Sequence, residues 1–179
     1  MLELYLIRHG IAGDAESYET DAERSLTNEG KQKTKKVAKR LFDLKLHFDL
    51  ILTSPLVRAR QTAAILQAVG LSSQLEESDH LATDGDIHNW LVWLETWRRD
   101  SASAMLSDMP RARLRSRPRL ALVGHEPNLA SWAETLVWGS ARGGLILKKA
   151  GVIGLQLPET GSPVGNSYLF WLVSPKLLL

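Results

Sequence analysis

The 179-residue chain has no cysteine. Disulfides, zinc–thiolate centres, iron–sulfur clusters and cysteine nucleophiles are therefore excluded together. Long hydrophobic runs are also missing; the apolar stretches fall far short of the roughly 20 residues a membrane helix needs. Met1-Leu2-Glu3-Leu4 contains an acid and is soon followed by Arg8, which does not resemble a signal peptide. A cytoplasmic protein is expected, without a membrane partner. No internal repeat is present. Formal charge is nearly balanced at +2, so the overall balance gives no reason to expect nucleic acid as a partner. The cations are nevertheless uneven: Arg111, Arg113, Arg115, Arg117 and Arg119 alternate without an intervening acid. A solvated loop is the simpler reading of that stretch; docking of an acidic phosphoprotein surface is the functional one. With 44% hydrophobic and 23% charged residues, the composition is that of one globular domain covering 1–179.

Leu4-Tyr5-Leu6-Ile7 is apolar on both faces, the pattern of a buried parallel strand, and stops at Arg8-His9-Gly10. Residues 11–25 carry Asp14, Glu16, Glu19, Asp21 and Glu23 and read as a loop. Thr27 is placed to cap a helix with Val37, Leu41 and Leu44 on its inner stripe. Lys31, Lys33, Lys35, Lys36 and Lys39 lie mostly off that stripe, as a solvated face does. Leu50-Ile51-Leu52-Thr53 is a second strand, and Ser54-Pro55 predicts a helix from Pro55 to about Val69, with Ser54 as its cap. A weak strand near Gln74–Glu77 precedes a helix from about Asp86, whose Trp90, Trp93 and Trp97 read as core. Arg119–Val123 is a further strand; Leu129, Trp132, Ala133, Leu136 and Val137 then mark a core-facing helix closed by Gly139. Leu145–Lys148 and Val152–Leu157 are expected as a hairpin around Ala150-Gly151, with Ser167–Val173 as the last strand. This order predicts an α/β fold, a three-layer α/β/α sandwich with a mostly parallel central sheet and late antiparallel strands.

Ligands of such sheets bind beyond the carboxyl ends of the strands. Three groups fall at those ends: Arg8-His9-Gly10, Ser54-Pro55-Leu56-Val57-Arg58 and Gly124-His125-Glu126-Pro127. Together they offer two guanidiniums, two imidazoles and a helix amino end. That set suits a dianionic phosphoryl group. It is a poor metal site, because no carboxylate stands at ligand spacing from the histidines.

In that order, these groups resemble the histidine phosphatase (phosphoglycerate mutase-like) superfamily. The resemblance extends to Ser54-Pro55-Leu56-Val57-Arg58-Ala59-Arg60-Gln61-Thr62 and to the helix start Arg24-Ser25-Leu26-Thr27-Asn28-Glu29-Gly30. Small size, Gly85-Asp86 and the terminal Ser174-Pro175 resemble its phosphohistidine phosphatase, or SixA-type, branch. The resemblance implies that His9 is the nucleophile and carries the phosphoryl group. Arg8 and Arg58 would clamp the phosphoryl oxygens, with Gly10 beside them. His125 would donate to the same group as an imidazolium. No cofactor and no metal are implied, since two arginines can neutralise the charge that magnesium usually offsets.

One departure concerns the acid that larger members place after the third strand. Here the stretch reads Leu81-Ala82-Thr83-Asp84-Gly85-Asp86, leaving Asp84 or Asp86 as substitutes. An alkoxide leaving group needs a proton donor, whereas an imidazole can leave neutral if its far nitrogen is protonated. Phosphohistidine in a protein, such as a histidine-phosphotransfer protein, is thus the expected substrate. The rival readings are a phosphatase for small phosphate esters and a non-catalytic phosphate-binding or docking module.

Overall fold

Leu2, Leu4 and Leu6 pack to one side of the first strand, Tyr5 and Ile7 to the other, and all five are buried. That strand, β1 (Leu2–Arg8), therefore lies between two helical layers. The structure, a computed structural model, describes residues 1–108 and 117–179. Along the chain β1 is followed by α1 (Asn28–Asp43), β2 (Leu50–Thr53), α2 (Val57–Ala68), β3 (Leu75–Glu77) and α3 (Ile87–Asp108). After these come β4 (Arg119–Gly124), α4 (Asn128–Trp138), β5 (Val152–Leu157) and β6 (Tyr168–Val173). The sheet runs β3-β2-β4-β1-β5-β6. Its first four strands are parallel, and β5 and β6 are antiparallel additions.

The α/β/α sandwich is as expected. Val37, Ala38 and Leu41 of α1 and Ala59, Ala63 and Leu66 of α2 close one face over Tyr5 and Ile7. Trp90 and Leu94 of α3 and Leu129, Trp132 and Leu136 of α4 close the other over Leu4 and Leu6. The tryptophans are packing residues: Trp90 is buried against Trp132, with ring centroids 5.4 Å apart, and Trp93 and Trp97 pack partly buried on the same core. Thr27 caps α1 as expected, its hydroxyl accepting from the Gly30 amide at 2.9 Å. Gly139 ends α4 in the left-handed conformation at φ 83°, which a side chain would resist.

Two expectations need correction. The second helix starts at Val57 rather than Pro55, with Leu56 as its N-cap residue. The Ser54 hydroxyl accepts from the Leu56 amide at 3.3 Å, ahead of the helix, and also meets His125 Nε2 at 2.8 Å. Leu145–Lys148 is not a strand. The amide of Leu145, with those of Arg142, Gly143 and Gly144, donates to the buried carboxylate of Glu134 instead. An acceptor inside α4 has replaced the strand partner.

Candidate active site

The register of three neighbouring strands assembles the site. Arg8 pairs with Gly124 across β1 and β4, so Arg8-His9 and Gly124-His125 emerge together. The His9 amide donates to the Gly124 carbonyl at 3.0 Å, and the Ser54 amide to Val123 at 2.9 Å. The structure thereby brings His9, Arg8, Arg58, His125 and Gly10 to one sheet end. The His9 and His125 rings lie 5.2 Å apart between centroids.

His9 is buried, and its Nδ1 lies 2.7 Å from the Gly10 carbonyl. A carbonyl only accepts, so the proton sits on Nδ1 and Nε2 presents a lone pair. Arg58 Nε donates to that Nε2 at 3.3 Å. Burial lowers the His9 pKa to about 3, opposed by the Gly10 hydrogen bond and assisted by His125, Arg58 and Arg8. His9 is neutral at physiological pH. Thr62 holds this corner from α2: its Oγ1 accepts from the Gly10 amide at 3.0 Å and donates to the Arg58 carbonyl at 2.8 Å. Gln61 accepts from the Leu26 amide at 2.7 Å.

Arg58, the second residue of α2, is buried. Its Nη1 donates to the Asp21 carbonyl at 2.6 Å and its Nη2 to Asp21 Oδ2 at 2.8 Å. Arg8 Nη1 donates to the Leu147 carbonyl at 2.9 Å. His125 Nε2 lies 2.8 Å from Ser54 Oγ. Burial, then Arg58, lowers the His125 pKa to about 4, against the pull of Asp21. The protein's own groups thus favour a neutral imidazole where an imidazolium is expected. Among the described residues, six buried side-chain polar atoms lack a partner, and Arg8 Nε, His125 Nδ1 and Glu126 Oε1 are three of them. Unmet polar atoms are rare in proteins, and their gathering here marks a place for a polar ligand.

The candidate acids are not joined to this cluster. Asp86 caps α3, accepting from the His88 amide at 2.9 Å, and Asp84 is exposed. Their turn is nearby, since Asn128 Nδ2 donates to the Ala82 and Thr83 carbonyls at 3.2 and 3.0 Å. Two residues gain importance from the structure. Asp21 is one of five acids in the polar loop, and its three-residue spacing from Arg24 was the only available signal. Glu126 follows His125 directly; burial raises its pKa, opposed by Arg8. Of the arginine stretch, Arg117 is exposed and Arg119 pairs with Glu3, whereas Arg111, Arg113 and Arg115 lie outside the described residues. Among the described residues no group of three or more His, Asp or Glu is placed to hold a metal ion, and no helix is long and apolar enough to cross a membrane.

Comparison with known proteins finds relatives in sequence and in fold. An uncharacterized protein of Picosynechococcus sp. is 44% identical over 179 residues, with 99% of each chain covered. The protein histidine phosphatase SixA complexed with tungstate superposes with a TM-score of 0.78 at 22% identity, covering 99% of both chains. A phosphoserine phosphatase of Entamoeba histolytica in complex with phosphoserine gives 0.62 at 18% identity over 100% of each. The alpha-ribazole phosphatase of Shigella flexneri gives 0.60 at 19%, covering 97% of this chain and 96% of the other. At such identities the likeness is one of fold. The family model of the Histidine phosphatase superfamily (branch 1) matches residues 4–110, from β1 through both helices of one face and the whole of α3. With that match running through Arg8, His9 and Arg58, the chain belongs to the histidine phosphatase superfamily.

Proposed function

We propose that this chain is a phosphatase that works through a phosphohistidine at His9, and that its substrate is phosphohistidine in a protein. One observation carries the reading: a buried, neutral His9 whose Nδ1 proton is held by the Gly10 carbonyl while Nε2 faces Arg58. The Nε2 lone pair attacks phosphorus and the substrate's P–N bond breaks. The departing imidazole takes the electron pair and leaves neutral if its far nitrogen carries a proton. His9 becomes a phosphorylated imidazolium, its charge eased by the Gly10 carbonyl. Water then attacks phosphorus, the Nε2 electron pair returns, and phosphate leaves with the proton balance restored by solvent. Phosphoryl transfer depends mainly on positioning and on charge neutralisation, which Arg8, Arg58 and His125 supply. The 81–86 stretch offers no engaged acid, and a nitrogen leaving group needs none, whereas an alkoxide would have to take its proton from another carboxyl such as Glu126. No cofactor takes part in this scheme.

The test is mass spectrometry of trapped phosphoenzyme after exposure to a panel of phosphohistidine, phosphoramidate and phosphoester donors. An acid-labile label on His9, absent from His9→Ala and fastest with P–N donors, is expected. A label of wild-type extent on the His9→Ala protein would falsify the reading. Faster labelling by esters would move the substrate to the small-molecule class.

A further inference from the structure

The polar loop between β1 and α1 is a closed structure. Ala12 bridges Leu26, the Gly13 amide donates to the Ser25 carbonyl at 3.0 Å, and the Thr27 amide to Ile11 at 3.0 Å. Arg24 Nε donates to the Gly13 carbonyl at 3.0 Å, tying the returning limb to the outgoing one. A single turn of 3-10 helix, Asp21–Glu23, sits on this frame with Thr20 and Glu23 closing a capping box. The frame delivers Asp21 to Arg58.

The contacts there are directional. The Asp21 carboxylate divides its oxygens, Oδ1 accepting from Arg24 Nη1 at 2.8 Å and Oδ2 from Arg58 Nη2 at 2.8 Å. Its carbonyl takes Arg58 Nη1 at 2.6 Å. A guanidinium is planar and presents donors along distinct edges. Asp21 fills the edge formed by Nη1 and Nη2, and the edge bearing Nε is turned to His9 Nε2. That is the edge a phosphoryl group on His9 would meet. Asp21 is half exposed, whereas Arg58 is buried, so the loop residue stands between the guanidinium and solvent.

We propose that Asp21 is the positioning residue of Arg58, gripping the far edge of the guanidinium so that its Nε edge stays aimed at the phosphoryl group on His9. The assignment rests on the phosphohistidine reading above, and it adds the loop between β1 and α1 to the working parts of the site. The hydrogen bonds of Asp21 go to Arg24 and Arg58 and not to His9, and it reaches His125 through its charge alone; its grip on the site acts through Arg58.

A double-mutant cycle tests this with Asp21→Ala, Asp21→Asn, Arg58→Ala and the Asp21→Ala/Arg58→Ala pair as full chains. Two quantities are read: the rate of His9 labelling by inorganic phosphoramidate, and the affinity for inorganic phosphate by calorimetry. Asp21→Ala is expected to slow labelling and weaken phosphate binding roughly tenfold or more, as expected for loss of a charge-assisted contact. Asp21→Asn keeps the backbone carbonyl and one acceptor oxygen and recovers part of both. In the Arg58→Ala background, adding Asp21→Ala changes either quantity by less than about twofold, because the two act as one unit. Wild-type values for Asp21→Ala, or the same loss in both backgrounds, would overturn the assignment. So would tighter phosphate binding by Asp21→Ala, which would make the carboxylate a competitor of the anion. Should the wild type bind phosphate yet leave His9 unlabelled, the phosphatase reading fails while the cycle on phosphate affinity still decides the role of Asp21.

Discussion

A neutral imidazole attacks only through the nitrogen without a proton, and at position 9 the Gly10 carbonyl decides which one that is. The neighbouring imidazole has a different part. With its pKa lowered to about 4, His125 starts neutral, and an arriving dianion shifts it back toward the charged form. Phosphate binding at neutral pH is therefore expected to take up protons, read as a dependence of the calorimetric enthalpy on the ionisation heat of the buffer. The uptake is lost in His125→Asn. The same shifts affect stability. Between about pH 6.5 and the folded values of about 3 and 4, the unfolded chain binds more protons at His9 and His125 than the folded one. Stability thus falls on acidification through that window, and urea titrations of His125→Asn should show a shallower fall than wild type. Glu126 gives a third expectation. A carboxyl pushed toward its protonated form beside Arg8 can serve an alkoxide leaving group, which an imidazole does not require. Glu126→Gln is expected to lower phosphoester turnover by on the order of tenfold or more while sparing phosphoramidate turnover; equal losses on both would remove that role.

Helix and strand ends carry most of the site, and their legibility differs for physical reasons. The strands before His9 and His125 were readable because they are apolar on both faces, and the cap at Thr27 because a hydroxyl satisfying a free amide has a fixed spacing. At Ser54 the sequence suggests a helix cap, since spacing cannot show that its hydroxyl also meets His125, 71 residues away in sequence. At Leu145–Lys148 the apolar run suggests a strand, but such a run does not reveal where backbone amides find acceptors. Asp21 could not be distinguished from the other loop acids while its partner lay 37 residues ahead. Glu134 illustrates the same limit and yields a prediction. Four backbone amides, Arg142 first and then Leu145, hold its pKa down to about 2. They also order the segment whose Leu147 carbonyl anchors Arg8. Glu134→Gln has one acceptor oxygen and sets an amide group against N–H donors. It should lower the melting temperature by several degrees and, by loosening Arg8, weaken phosphate binding. Gly30 makes a comparable demand in the first turn of α1, where a Cβ would run into the Ile11 carbonyl. Gly30→Ala is expected to destabilise the fold and displace the segment beside Gly10, with loss seen in both melting temperature and His9 labelling.

At the scale of the molecule, the arginine-rich stretch and the sheet bear on function differently. If Arg111, Arg113, Arg115 and Arg117 attract an acidic phosphoprotein, replacing all four by Ser lowers kcat/KM on that substrate and spares a small phosphoramidate. The deficit should shrink as salt is raised. Equal activity on the phosphoprotein at low salt would leave only a solvated loop. The sheet has a consequence of another kind. His9 and Ser54, one residue past β1 and β2, hang their amides on Gly124 and Val123 of β4, and all three strands are flanked on both sides. Such amides meet solvent deuterium only when the whole chain opens, whereas residues 14–23 lie outside the sheet and are nearly all exposed. In a deuterium-labelling time course, a peptide spanning Leu4–His9 should be among the last to gain mass and one spanning Asp14–Glu23 among the first. The nucleophile would then be part of the slowest-opening region of the protein, and the residue that aims its arginine part of one of the fastest.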